Sequence, residues 1–149
     1  FGLAYDIPAV RNVEALSDGL PISIGDITLT PYVIGGHTPG GTTWTWRSCE
    51  GERCLDLVYA DSQTPVSADG FSFSSSATYP TAVADFRRAH ALLESMPCDI
   101  LVTPHPEASQ LWERVTSGSL VDREACSRYA ASARRALERR LEREQGGTP

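Results

Sequence analysis

Cys49 and Cys54 bracket the polar run Glu50-Gly51-Glu52-Arg53, and strand-like sequence lies on both sides of it. Thr42 to Cys49 alternates Thr and Trp, and Leu55 to Ala60 is a compact apolar run, so the economical arrangement is an antiparallel hairpin with the two sulfurs facing each other. Four cysteines allow three connectivities, and this hairpin leaves Cys98 to pair with Cys126. The spacing is not that of a zinc ribbon, which needs close C-x-x-C pairs. Two disulfides place the chain in an oxidising compartment such as the periplasm; four buried free thiols in a cytosolic protein are the alternative.

The rest of the chain orders itself around that hairpin. Residues 1–25 are loop-rich, with Pro8, Gly19, Pro21 and Gly25 and a short helical turn expected around Val10 to Leu16. Ile27 to Ile34 alternates as a third strand, which makes an antiparallel meander. From Gln63 to Tyr79 runs a Ser/Thr/Pro/Gly/Asp-rich loop, too long for a compact domain to keep without a use, and it is read as a rim or lid. Pro80 suits a first helical turn, and Val83, Phe86, Ala89, His90 and Leu93 recur at helical spacing as far as Pro97. A short buried strand, Ile100 to Thr103, follows. After a brief helix with Leu111 and Trp112, a final helix opens at Asp122 with Cys126, Tyr129, Ala133, Ala136 and Leu137 as its inner stripe. So few strands under two helices leave one sheet face uncovered, which is half of a layered α/β sandwich rather than a closed fold.

Composition narrows the function. The 149 residues carry a net charge of −6, without the clustered positive charge that nucleic acid or an anionic membrane requires, and no apolar run approaches the roughly 20 residues of a membrane span. Every basic residue is arginine. The chain opens on Phe1-Gly2-Leu3-Ala4, with neither a start methionine nor a charged leader, as expected of a processed or cut chain.

Two of the three histidines stand directly after strands in stiff backbone: His37 in Gly35-Gly36-His37-Thr38-Pro39-Gly40-Gly41, and His105 in Thr103-Pro104-His105-Pro106. Imidazoles projected from strand ends in this way are preorganised as metal ligands, the plain alternative being turn histidines bonded to nearby backbone. His90 lies in the apolar stripe of its helix and is expected half-buried and bonded to a neighbour. At the end of the third long strand, Tyr59-Ala60-Asp61-Ser62-Gln63-Thr64 opens into the long loop. On strand alternation Ser62 and Thr64 share a side, where two hydroxyls bond a carboxylate or a metal-bound water, or else merely satisfy the turn.

The run Gly36 to Trp46, then Tyr59-Ala60-Asp61-Ser62, then Cys98 to Pro106, resembles in order and spacing the metallo-β-lactamases of the third subclass. The likeness covers essentially the whole chain. The opening Phe1 to Asp6, Arg47-Ser48-Cys49 and the pairing of Cys98 with Cys126 make it similar in detail to the Adelaide imipenemase type. The resemblance implies an αββα sandwich of two similar halves with two zinc ions between the sheets. It also implies hydrolysis of the β-lactam amide, and hence antibiotic resistance, by a metal-bound hydroxide whose pKa the zinc has lowered. In that family the ligands are a first-half H-x-H-x-D-H motif and two later histidines. Carried over, His37 is the third histidine on the first zinc, and His105 joins an Asp and a His on the second. Ser62 bonds a water or substrate near the second zinc, and Ser62 with Thr64 holds the substrate carboxylate. The lysine that does this in the first subclass has no candidate here.

H-x-H-x-D-H does not occur, so four of the six ligands are missing. The expectation is that residues 1–149 are the C-terminal half-domain of a longer periplasmic or secreted enzyme, whose partners are the missing N-terminal half and β-lactam antibiotics. Two other readings stand: a thiolester hydrolase of the same superfamily, with Asp61 bridging the metals, and a non-catalytic module as it stands. Neither G-x-S-x-G nor S-x-x-K is present, so Ser62 is not a serine-enzyme nucleophile.

Overall fold

In the computed structural model, which describes residues 8–146, five strands make one sheet in chain order: β1 (Ile22–Ile24), β2 (Ile27–Val33), β3 (Thr42–Glu50), β4 (Arg53–Tyr59) and β5 (Ile100–Val102). The first four are an antiparallel meander, and β5 joins β4 in parallel. That parallel step needs a crossover, which the long loop and helix α1 (Ala82–Ser95) supply. After β5 come a 3₁₀ turn (Pro106–Ser109), α2 (Leu111–Thr116) and α3 (Ala125–Gln145).

The β3–β4 hairpin is tighter than its sequence suggests. Pairing continues through Cys49 with Cys54 and Glu50 with Arg53, leaving two residues in the turn. The first of these, Gly51, has φ +59°, which a two-residue hairpin accepts from glycine at little cost. β1 escapes sequence reading because three residues are too few to show alternation. The helical turn expected around Val10 to Leu16 does not form: the segment is non-helical, with Val10 and Val13 each 75% exposed. A short helix with no apolar face to bury has nothing to offset its nucleation cost.

Helices α1 and α3 lie together on the sheet face that carries Val58 and Leu101. Ile34, Val58, Ala60 and Leu101 pack there against Ala89 and Leu93 of α1 and Ala125, Tyr129 and Ala130 of α3. A second cluster joins Phe73 of the long loop and Phe86 of α1 to Leu137 and Leu141 of α3. On the opposite face the register aligns Trp44 with Tyr59, Trp46 with Leu57, and Leu57 with Ile100. These side chains stay partly exposed and enter neither cluster.

The long loop is a rim fastened to the end of α3. The Glu144 carboxylate accepts hydrogen bonds from the Phe73 and Ser74 amides (3.0 and 2.9 Å), the Ser72 hydroxyl (3.0 Å) and Arg140 Nε (2.7 Å). Burial raises the pKa of Glu144, but these donors outweigh it and hold the group at about 2. Arg140 also donates to the Phe71 carbonyl (2.7 Å) and covers the Phe73 ring.

Both disulfides are present, Cys49–Cys54 across the hairpin and Cys98–Cys126 between the entry to β5 and the first turn of α3. The second closes 28 residues, so the chain-entropy account assigns it about 3.5 kcal/mol. Non-reducing peptide mapping should recover these two pairs, and replacing both Cys98 and Cys126 by Ala should cost about that amount in urea titration. Four alkylatable thiols in the natively produced chain would contradict it.

His90 departs from its expected environment. It is 1% exposed, tilted against Phe86, and neither ring nitrogen has a hydrogen-bond partner among the described residues. Burial, helped by the positive charge of Arg134 on α3, pushes its pKa down to about 4. The unfolded chain therefore takes up the proton first. Stability is full above about pH 6.5 and falls as the pH drops towards 4, by up to about 3 kcal/mol. His90→Leu should flatten that slope in urea titrations at pH 7 and pH 4.5; equal slopes in the two proteins would remove His90 as its source.

Candidate functional site

Alternation of strand direction decides what meets at one end of the sheet. Val33 at the end of β2 pairs with Thr42 at the start of β3, and Tyr59 at the end of β4 lies between Trp44 and Val102. The loops leaving β2, β4 and β5 therefore emerge side by side, and they carry His37, the Asp61–Thr64 segment and His105.

The His37 loop is closed by Ile34 N–H donating to the Gly41 carbonyl (2.8 Å) and by Gly41 N–H donating to Thr38 (3.3 Å). Three of its glycines leave no room for a Cβ, which at Gly35 would sit 2.5 Å from the Tyr79 hydroxyl. Gly36 has φ +134°, and a Cβ there would sit 2.5 Å from the Phe86 ring; a Cβ at Gly41 would sit 2.6 Å from the Asp61 carboxylate. His37 Nδ1 lies 2.8 Å from the Thr64 carbonyl oxygen. A carbonyl only accepts, so Nδ1 carries a proton and Nε2 is the nitrogen left to ligate, the arrangement that a backbone carbonyl gives to metal-ligating histidines.

β4 ends at Tyr59, so strand alternation does not reach Asp61 to Thr64. Ser62 is buried, and its Oγ accepts from the Thr64 amide (3.3 Å), while the Thr64 side chain is exposed. The Asp61 amide donates to Thr43 Oγ1 (3.3 Å). From α3, the buried Tyr129 hydroxyl receives the Gln63 amide (3.0 Å) and donates to the Asp61 carbonyl (3.3 Å). Burial pushes the pKa of that phenol up to about 12, so it remains a donor at any working pH.

His105 is exposed at the mouth of a locked turn. The Thr103 hydroxyl lies 2.8 Å from the His105 carbonyl and 3.0 Å from Ser109 Oγ. The buried Arg114 donates to the carbonyls of Leu101, Ser109 and Leu120, pinning the end of β5. Thr43, Arg114 and Tyr129 went unnoticed as site residues in the sequence, where Tyr129 reads only as one more member of an inner stripe.

Among the described residues no three His, Cys, Asp or Glu side chains gather as a metal-holding group. His37 has the chemistry of a ligand, but one oriented imidazole and a second exposed one do not complete a site, since a catalytic zinc needs three protein ligands. No helix of the described residues is long and apolar enough to cross a membrane. The likeness carried by Phe1 to Asp6 lies outside the described residues.

No family model matches the sequence. Solved structures do. The Rm3 metallo-β-lactamase superposes with a TM-score of 0.90 at 46% identity, covering 93% of this chain and 54% of that one. MEM-A1, a subclass B3 metallo-β-lactamase from a soil metagenome library, gives 0.90 at 36% identity, covering 95% and 56%. SMB-1, solved in complex with mercaptoacetic acid, gives 0.83 at 38% identity, again covering 95% and 56%. The chain spans about half the length of each of these structures. In fold and sequence it belongs with the subclass B3 metallo-β-lactamases and corresponds to the C-terminal half of their αββα sandwich.

Proposed function

We propose that the chain supplies one half of a two-zinc site that hydrolyses the β-lactam amide bond, in a periplasmic or secreted protein. The observation that carries this reading is the His37 Nδ1 bond to the Thr64 carbonyl, which leaves Nε2 as the ligating atom at the sheet end where His105 also stands. When bound, zinc would supply the Lewis acidity that activates water and stabilises charge developing on the carbonyl oxygen and the departing nitrogen.

His37 would serve the first ion and His105 the second. Thr64, exposed beside His37, would offer its hydroxyl to the substrate carboxylate, with Ser62 behind it holding the Thr64 amide and keeping a hydroxyl proton to donate. SMB-1 was solved with mercaptoacetic acid. A thiol and a carboxylate in one small molecule are groups that a zinc ion and a hydroxyl rim would both accept. The missing ligands would come from a first half docked on the partly exposed Trp44, Trp46, Leu57 and Tyr59 face.

The test is hydrolysis of several β-lactams by the chain joined to a first half that bears H-x-H-x-D-H, with Thr64→Val beside it. Thr64→Val keeps the carbonyl that His37 uses and removes only the hydroxyl. KM should rise roughly 5- to 150-fold, the equivalent of about 1 to 3 kcal/mol, with kcat little changed, because a carboxylate contact persists from ground to transition state. An unchanged KM across the series would take Thr64 out of the site. Asp61→Asn that strips zinc while Ser62→Ala leaves it bound would favour the thiolester-hydrolase reading, in which Asp61 is a ligand.

A further inference from the structure

We propose that Tyr129 is a positioning residue for the ligand edge: its hydroxyl clamps the turn from Asp61 to Thr64 and, through the Thr64 carbonyl, sets the ring orientation and tautomer of His37. The proposal rests on the two-zinc reading only for its consequence; the clamp itself is a matter of geometry.

The hydroxyl has one proton and lone pairs, and both capacities are spent on a single stretch of backbone. It donates to the Asp61 carbonyl at 3.3 Å and accepts the Gln63 amide at 3.0 Å. The peptide units on both sides of Ser62 are thus tied to a helix 66 residues away in sequence. Apart from the His37 contact, the other bonds of the Ser62–Thr64 stretch are local: Ser62 Oγ accepts from the Thr64 amide, Gln63 Nε2 donates to the Ser62 carbonyl, and the Val66 amide donates to the Thr64 carbonyl at 2.9 Å. They shape the turn without placing it. Placement comes from Thr43 on β3, which holds the Asp61 amide at 3.3 Å, and from Tyr129 on α3.

Tyr129 is well suited to serve as the fixed point. It is 7% exposed in the main core, and one helical turn earlier Cys126 is bonded to Cys98 at the entry to β5. The helix that carries the hydroxyl is therefore tied covalently to the strand that ends at the His105 turn. Each link is short and directional: the Tyr129 hydroxyl to the Gln63 amide, Gln63 to Thr64 in the chain, and the Thr64 carbonyl to His37 Nδ1 at 2.8 Å. A carbonyl free to swing would let His37 present either ring nitrogen, and the partners that orient a ligating histidine govern how tightly the metal is held.

Tyr129→Phe removes the hydroxyl and keeps the ring in the core. By NMR on the isotopically labelled chain paired with an unlabelled, metal-free first half, Gln63 amide exchange should quicken at least tenfold and His37 should pass from the Nδ1–H form to a mixture of tautomers, while the Val58 and Leu101 amides stay protected. In the chain paired with its first half, Tyr129→Phe should lower zinc retention against a chelator by roughly 10- to 100-fold. Thr64→Val, which leaves the carbonyl in place, should not. Unchanged Gln63 exchange with an unchanged His37 tautomer would overturn the proposal. If Tyr129→Phe does not fold, the unmodified chain decides: a slowly exchanging Tyr129 hydroxyl proton with a cross-peak to the Gln63 amide supports the clamp, and its absence overturns it. Failure of the unmodified pair to hydrolyse any β-lactam would sink the two-zinc reading while leaving these NMR outcomes to judge Tyr129.

Discussion

The isolated 149-residue chain should hold no two stoichiometric zinc ions and hydrolyse no chromogenic cephalosporin, and adding a first-half fragment that carries H-x-H-x-D-H should restore both. Two imidazoles on separate loops cannot fix a tetrahedral ion tightly, and among the described residues no third donor joins either of them. The docking face is already shaped, with Trp44 paired to Tyr59 and Trp46 to Leu57 and all four partly exposed. An apolar patch of this kind on a free half favours self-association, so the uncomplemented chain should also aggregate at higher concentration. In the complemented enzyme, His37→Ala and His105→Ala should each abolish turnover and each lower metal content by about one ion, measured by elemental analysis. Strong turnover by the chain alone, with a metal content near two, would mean that other residues are the ligands.

Gly36→Ala should be the most damaging single methyl in the chain. The position has φ +134°, and the new Cβ would stand 2.5 Å from Cδ1 and 2.7 Å from Cγ of Phe86, whose side chain is fully buried. A strained backbone costs about 1 to 3 kcal/mol and overpacking a full core about as much again, so a loss of roughly 2 to 6 kcal/mol is expected in urea titration. Because Phe86 cannot retreat, the backbone must, and His37 follows it. Zinc binding in the complemented enzyme should therefore fall together with stability. Gly40→Ala is the control: nothing lies within 4 Å of its Cβ and its φ is not positive, so the change should stay within about 0.5 kcal/mol. Adding Phe86→Leu to Gly36→Ala should recover the steric part and not the backbone part. A Gly36→Ala chain as stable as Gly40→Ala would show that the loop does not pack on Phe86 in this way.

Local signals carried the sequence reading a long way. Alternation from Thr42 to Cys49, the apolar run at Leu55 and the helical stripe from Phe86 to Leu93 are set by near neighbours, and each became the expected element. The cysteine pairing followed from the hairpin, because two strands joined by a short polar turn bring their flanking residues opposite one another. That His37 and His105 stand just past strand ends was legible because glycine and proline around a histidine after a strand restrict the backbone whatever lies elsewhere. The helical turn near Val10 failed because local propensity had no apolar surface to work against, and β1 was too short to signal its presence.

What sequence could not provide was anything that depends on two distant segments meeting. That His37 rests on the carbonyl of Thr64 rather than on its hydroxyl, that Ser62 turns inward while Thr64 faces out, and that Asp61 packs under Gly41 all follow from β4 ending at Tyr59, after which strand alternation no longer governs direction. The clamp from Tyr129 was hidden for the same reason: in the sequence it is one apolar position among five on a helix, and only the docking of α3 beside β5 turns its hydroxyl towards Gln63. The sequence by itself determined the longer strands and helices, which cysteines face each other and which histidines stand at strand ends, because those are decided within a few residues by sterics and periodicity. The tertiary structure decided which backbone groups orient those histidines, because hydrogen bonds across more than 20 residues exist only once the sheet register and helix packing bring their partners within 3 Å.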